Sequence, residues 1–129
     1  MNSAYVFLLM LFMHILDDFH FQGCLANLKQ KSWWAANAPD PKYKHDWVPA
    51  LLAHVITWSM LIMLPCVYFL DVPVWLVLPL FLFNCGVHFF VDNLKCNRLV
   101  INLIEDQLFH LSQIILTFLV CLKIPEMMA

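Results

Sequence analysis

The sequence predicts an all-α fold: one antiparallel bundle of four transmembrane helices with a polar His/Asp core near its cytoplasmic side. Three observations predict it. Apolar residues fill 63% of the 129 positions and charged residues only 12%, a balance unlike that of soluble domains. The apolar residues gather into four runs, each near the ~20 residues needed to cross a hydrocarbon core. Three pairs at a spacing of four lie inside those runs: His14 with Asp18, His88 with Asp92, and Asp106 with His110. Residues four apart share one helix face.

The first helix is expected over about residues 4–22. No Lys or Arg precedes its apolar run, and no small-x-small cleavage site follows before Asp17–Asp18, so it reads as a span and not as a removable signal. The second and third helices are expected over about residues 48–70 and 74–94. The short Asp71–Val72–Pro73 link makes them antiparallel neighbours. The fourth, about 99–123, follows a tight turn at Asn93–Arg98. The remaining connection, 23–47, is polar, Pro-containing and lysine-rich, with Trp33, Trp34, Tyr43 and Trp47 suited to the lipid headgroup layer. The chain is read as a single integral membrane domain over residues 1–129.

Basic residues orient it. Lys29, Lys31, Lys42 and Lys44 fall in the first loop and Lys95 and Arg98 in the third, against Lys123 alone on the other side. The positive-inside rule then puts both loops in the cytoplasm and both termini outside. A formal net charge of -2 gives no footprint for nucleic acid. The cysteines Cys24, Cys66, Cys85, Cys96 and Cys121 show no paired spacing. They read as small buried hydrophobes, not as a disulfide framework or zinc knuckle.

The polar residues extend the pairs into stripes. Helix one carries His14, Asp18 and Gln22, with Asp17 beside them, and helix three carries Asn84, His88, Asp92 and Lys95. Helix four carries Asn102, Asp106, His110, Gln113 and Thr117, and helix two the lighter face His54 and Thr57. At 1.5 Å per residue, the His and Asp members lie within roughly 5–15 Å of one membrane boundary. Three ionised Asp residues near helix centres would cost on the order of 10 kcal/mol without partners, so the stripes must turn inward.

Imidazole and carboxylate without organised thiols suit a divalent metal, zinc first, with iron or manganese as alternatives. His14, Asp18, His54, His88, Asp92, Asp106 and His110 are enough for one ion with supporting groups, or for two. Such a centre points to water activation and hydrolysis of a lipid or lipid-linked substrate at the cytoplasmic leaflet. Asp18, Asp92 and Asp106 are then candidate acid/base groups, with Lys95 placed for a phosphate and Gln22, Asn84 and Gln107 for substrate. The same residues could instead form a metal-free network, with Asp92 and Lys95 neutralising one another. His20 and His45 sit at loop boundaries as interfacial residues, and Cys85 and Met63 as packing.

The ordered blocks resemble a known family. They are His14–Gln22 (His-Ile-Leu-Asp-Asp-Phe-His-Phe-Gln), Leu25–Lys29, Leu52–His54, His88–Lys95 and Asp106–His110. Together they resemble the family described as domain of unknown function 3307. Membership implies a small bacterial or phage membrane protein and brings no activity with it. The first loop is longer than that pattern, with an insert around Asn37–Pro41, and Leu25 stands where the pattern has methionine. Beside the enzyme, two other functions fit. One is a non-enzymatic protein whose aromatic, basic loop binds a host or envelope partner. The other is a proton or metal conduit, which the apolar outer halves Leu61–Leu70 and Val74–Phe83 disfavour. Four helices can enclose the site in a monomer, and a homo-oligomer is equally compatible.

Overall fold

A computed structural model describes residues 2–128, all helix and connection with no strand among them. Helix α1 (Ser3–Leu16) starts at Asn2, whose Oδ1 accepts from the Ala4 amide at 2.9 Å. It does not end at Leu16. One π-helical turn, Asp17–Phe21, carries it to Gln22, whose amide donates to the Asp17 carbonyl at 3.0 Å. Gly23, at φ +47°, then turns the chain away in a left-handed conformation that glycine adopts without a Cβ penalty.

Helices α4 (Trp47–Phe69) and α5 (Val74–Asn93) are joined by four residues, Leu70 to Pro73. Helix α5 also ends in a π turn, Leu94–Arg98, closed by Leu99 at φ 55°. Helix α6 (Leu103–Met128) begins four residues later than the expected start near 99. Asn102 is its cap: Oδ1 accepts from the amides of Ile104 at 2.8 Å and Glu105 at 3.0 Å. Glu105 reaches back to accept from the Asn102 amide at 2.8 Å. This reciprocal capping removes Asn102 from the inward stripe expected of it, because a short polar side chain gains more at a helix start than in its interior.

The four long helices are each apolar and long enough to cross a membrane, and they pack as one antiparallel bundle. Leu8, Phe12, Leu64, Leu78, Leu82, Leu116 and Leu119 stay exposed on its outside, as a lipid-facing belt does. The half farther from the basic loops has an apolar core built on Val6, Met10, Trp58, Ile62, Cys66, Ile114 and Cys121. At mid-depth, Asn84 ties α5 to α6. It accepts on Oδ1 from Gln113 Nε2 at 2.8 Å and from Thr117 Oγ1 at 3.0 Å.

The first connection is folded. It contains α2 (Leu25–Leu28), α3 (Lys31–Asn37) and a 3-10 turn, Pro41–Tyr43. Asn97, in the π turn after α5, clamps it from both sides. Its Oδ1 accepts from the Lys31 amide at 2.7 Å, and its Nδ2 donates to the Lys29 carbonyl at 3.1 Å. Lys29, expected as a loop charge, is therefore buried at 4% exposure.

Candidate metal centre

Each helix delivers its polar face to one level. Asp17 and Asp18 come from the π turn of α1, and His54 and Trp58 from α4. His88 and Asp92 come from α5, and Asp106, Gln107 and His110 from α6. In an α-helix, Asp17 and Asp18 would point about 100° apart. In the π turn both reach His54 from opposite sides: Asp17 Oδ2 lies 3.2 Å from Nδ1 and Asp18 Oδ1 lies 3.5 Å from Nε2. π turns recur at functional sites because they re-aim side chains in this way.

His54 Nε2 is the crowded point. It faces His88 Nε2 at 3.1 Å, Asp92 Oδ2 at 3.4 Å and Gln22 Nε2 at 3.2 Å, besides Asp18. With its Nδ1 turned to the Asp17 carboxylate, His54 presents a lone pair at Nε2, the orientation that a supporting carboxylate gives a ligating histidine. His88 stacks between Trp58 and His110, at centroid distances of 4.1 and 4.2 Å, which fixes its ring plane. Its Nε2 is 3.7 Å from Asp92 Oδ1, which is also 3.2 Å from His110 Nε2.

Two overlapping groups follow, Asp18–His54–His88 and His88–Asp92–His110, each with ligand atoms within 4.8 Å of one another. A tetrahedral ion with bonds of 2.0–2.1 Å separates its ligands by about 3.3–3.4 Å. Five of the separations within and between these groups, from 3.1 to 3.7 Å, bracket that value. Asp18 Oδ1, Asp17 Oδ2 and the Nδ1 atoms of His54, His88 and His110 are buried without a well-aligned hydrogen-bond partner. Asp18 Oδ1 is the one of these that also belongs to the converging set, aimed at His54 Nε2 with no aligned donor. Buried His and Asp groups here could hold a metal ion.

His14 belongs to a different role. Indole N–H only donates, so Trp58 Nε1, at 2.9 Å, makes His14 Nδ1 an acceptor. The His14 proton is then on Nε2 and donates to Gln107 Oε1 at 3.1 Å. That turns Gln107 Nε2 toward Asp18 Oδ2 at 3.2 Å and Asp106 Oδ2 at 3.1 Å. Both ring nitrogens of His14 are thus engaged, and it lies outside both ligand groups, although it was an expected ligand.

No family model, curated protein or solved structure matches this chain.

The site's chemistry is read from its own geometry. Asp106 also lies outside the two groups. Its Oδ2 accepts from Lys95 Nζ at 2.6 Å, and its Oδ1 lies 3.3 Å from His110 Nε2. Lys95 was expected beside Asp92 or turned toward a phosphate. Asp92 instead takes Lys29, Nζ to Oδ2 at 2.5 Å, because the folded loop carries that lysine inward. Asn84, expected near substrate, is occupied with Gln113 and Thr117 deeper in the bundle.

The sequence reading undervalued Asp17 and missed Lys29, Trp58 and Asn97. For Trp58 a signal existed, since it lies one turn after His54. For Lys29 and Asn97 none did, because their roles depend on how the loop packs. A small cavity of about 40 Å³, lined by Asp18, Gln22, Lys29, Asp92, Lys95 and Gln107 among others, leads to the centre from the basic end. It has room for about one water. His20 and His45 are exposed, and the Cys85 thiol packs against the Val55 carbonyl.

Proposed function

We propose that this chain is a membrane-embedded metal protein, a hydrolase acting on a lipid or lipid-linked substrate at the cytoplasmic leaflet. The observation that carries the reading is the convergence of Asp18, His54, His88, Asp92 and His110 at ligand-edge distances. Charge sets the number of ions. Four buried carboxylates, Asp17, Asp18, Asp92 and Asp106, face two ammonium groups, Lys29 and Lys95. With neutral histidines, two negative charges remain, which one divalent cation balances. The imidazole-rich donor set favours zinc, with iron or manganese next.

A bound ion supplies Lewis acidity and water activation. The protein supplies the rest. Asp18 faces the cavity with Oδ1 free of an aligned donor, while Gln107 fixes its other oxygen. With the ion held by the His88–Asp92–His110 group, Asp18 Oδ1 is left uncoordinated and is the general base that takes a proton from water. His54 is oriented by Asp17, and His14 holds Gln107 in register. The cavity's position at the basic end supports access from the cytoplasm, with both termini outside and the bacterial inner membrane as location. The ordered sequence blocks support membership of the resembled family, in a phage or bacterial setting.

A second reading keeps the centre and drops the ion. The Lys29–Asp92 and Lys95–Asp106 pairs already neutralise two carboxylates, and protonated histidines would neutralise the other two. The chain is then a structural membrane protein that acts by binding a host or envelope partner.

The deciding measurement is elemental mass spectrometry on detergent-solubilised protein, purified without chelators, with His88→Ala and Asp92→Asn beside it. One metal per chain, lost in both variants while size-exclusion profiles stay monodisperse, is the expected result. Metal-free wild-type protein would overturn the metal reading and leave the ionic network. Hydrolysis of phospholipid and lipid-linked phosphoesters is then assayed with Asp18→Asn. Full activity in that variant would remove Asp18 as the base.

A further inference from the structure

The bundle holds a second cluster of metal-binding atoms, all sulfur, away from the polar centre. Met10 on α1, Cys66 on α4 and Cys121 on α6 each show no solvent exposure and share one core cluster. Cys66 Sγ lies 3.3 Å from Met10 Sδ, and Cys121 packs in the same buried cluster. The cluster lies toward the far end of the bundle. Met10 is one turn before His14, Cys66 is three turns beyond His54, and Cys121 lies past the Gln113–Thr117 level of α6. Trp58 walls it off from the imidazoles, its indole N–H being committed to His14.

We propose that Met10, Cys66 and Cys121 form a soft-cation site that binds one Cu(I). Thiolate and thioether donors select Cu(I), whereas magnesium, calcium and manganese need oxygen donors. Apart from Trp58, whose indole N–H is donated to His14 and has no lone pair to offer, the other members of the cluster, Val6, Ile62, Met63, Leu80 and Ile114, carry no oxygen or nitrogen in their side chains. Monovalency matters in this dry place. When Cu(I) enters, one thiol S–H bond breaks, an S–Cu bond forms and the proton leaves to solvent. One thiolate, one thiol and one thioether around Cu(I) then carry no net charge, so no buried ion is left uncompensated. A divalent ion would need both thiolates to reach the same balance, and zinc's usual fourth ligand is missing here. Plain packing by small hydrophobes explains the burial of each residue. It does not require sulfur at these three positions of one cluster, and the experiment separates the two.

The test uses the full-length protein with Cys24, Cys85 and Cys96 replaced by Ala, so that Cys66 and Cys121 are the remaining thiols. Under anaerobic conditions it is titrated with Cu(I) held by a chromogenic chelator, and the near-ultraviolet thiolate–Cu(I) band is followed. One Cu(I) per chain is expected, lost in Cys66→Ala and Cys121→Ala. Met10→Leu, nearly isosteric and safe for the fold, is expected to weaken binding by at least about tenfold, or 1.4 kcal/mol. His88→Ala should bind Cu(I) as the parent does, because the two centres are independent. Failure of the parent to take Cu(I) from the chelator overturns the proposal, as does equal binding by the Cys66→Ala and Met10→Leu proteins. So does a thiol count showing that the two cysteines are already joined as a disulfide.

Discussion

At the scale of the residue, Lys29 tells the two readings of the polar centre apart. Its ammonium is buried against Asp92, and removing one partner of a buried pair costs about 3–5 kcal/mol because the other charge is left without compensation. Lys29→Met keeps the aliphatic length and deletes the charge. In chelator, the variant should therefore unfold at a clearly lower temperature than wild type. Zinc stabilises the folded state of both proteins. If Asp92 is a metal ligand, the cation is drawn more strongly to the variant's more negative centre, so saturating zinc should narrow that gap. A Tm deficit that is equal with zinc and with chelator would make Lys29–Asp92 a purely structural pair. The neighbouring pair behaves differently. The Lys95 side chain is 31% exposed, and the buried Asp106 it would leave keeps Gln107 and His110 beside it, so Lys95→Met should cost less.

At the scale of the element, the spans and their polar faces were legible because lipid forces the pattern: an oily helix can hide a polar stripe only by turning it inward. His54, His88, Asp92 and His110 reach the centre for that reason. Helix ends were less legible. Two π turns extend α1 and α5 at the same end of the bundle, just where Asp18 and Asp92 sit, and a repeat of four does not announce them. The turn in α1 is what gives Asp17 a place opposite Asp18. The start of α6 was misplaced because Asn102 fits both a polar stripe and a cap, and only the amides of Ile104 and Glu105 decide between them. This difference is measurable. Asn102→Ala should lower stability by about 1 kcal/mol, the usual cost of a lost N-cap, while metal content stays at the wild-type value. Loss of metal in that variant would return Asn102 to the site. Lys29 was illegible for a related reason: its burial follows from α2, α3 and the Asn97 clamp, a fold of the loop that no hydrophobic period encodes.

At the scale of the whole molecule, the buried lysines change the basis of the orientation without reversing it. Lys29 and Lys95 are paired with aspartates, so neither acts as a loop charge. Lys31, Lys42, Lys44 and Arg98 remain exposed at that end, with Lys123 toward the other. Four basic residues against one still favour the proposed cytoplasmic side for the folded loop, and Trp33, Trp34 and Trp47 near that end suit the interface. The polar cavity opens at the same end, so topology also decides which aqueous compartment the centre meets. Alkaline phosphatase fused to the C-terminus should be active, because it reaches the periplasm. The same reporter inserted at the exposed tip near Pro39 and Asp40 should be inactive. The reverse pattern would put the centre's entrance outside the cytoplasm and rule out a cytoplasmic-leaflet substrate. The ligand geometry would stand, but the sulfur cluster would then lie toward the reducing cytoplasm and the polar centre toward the envelope.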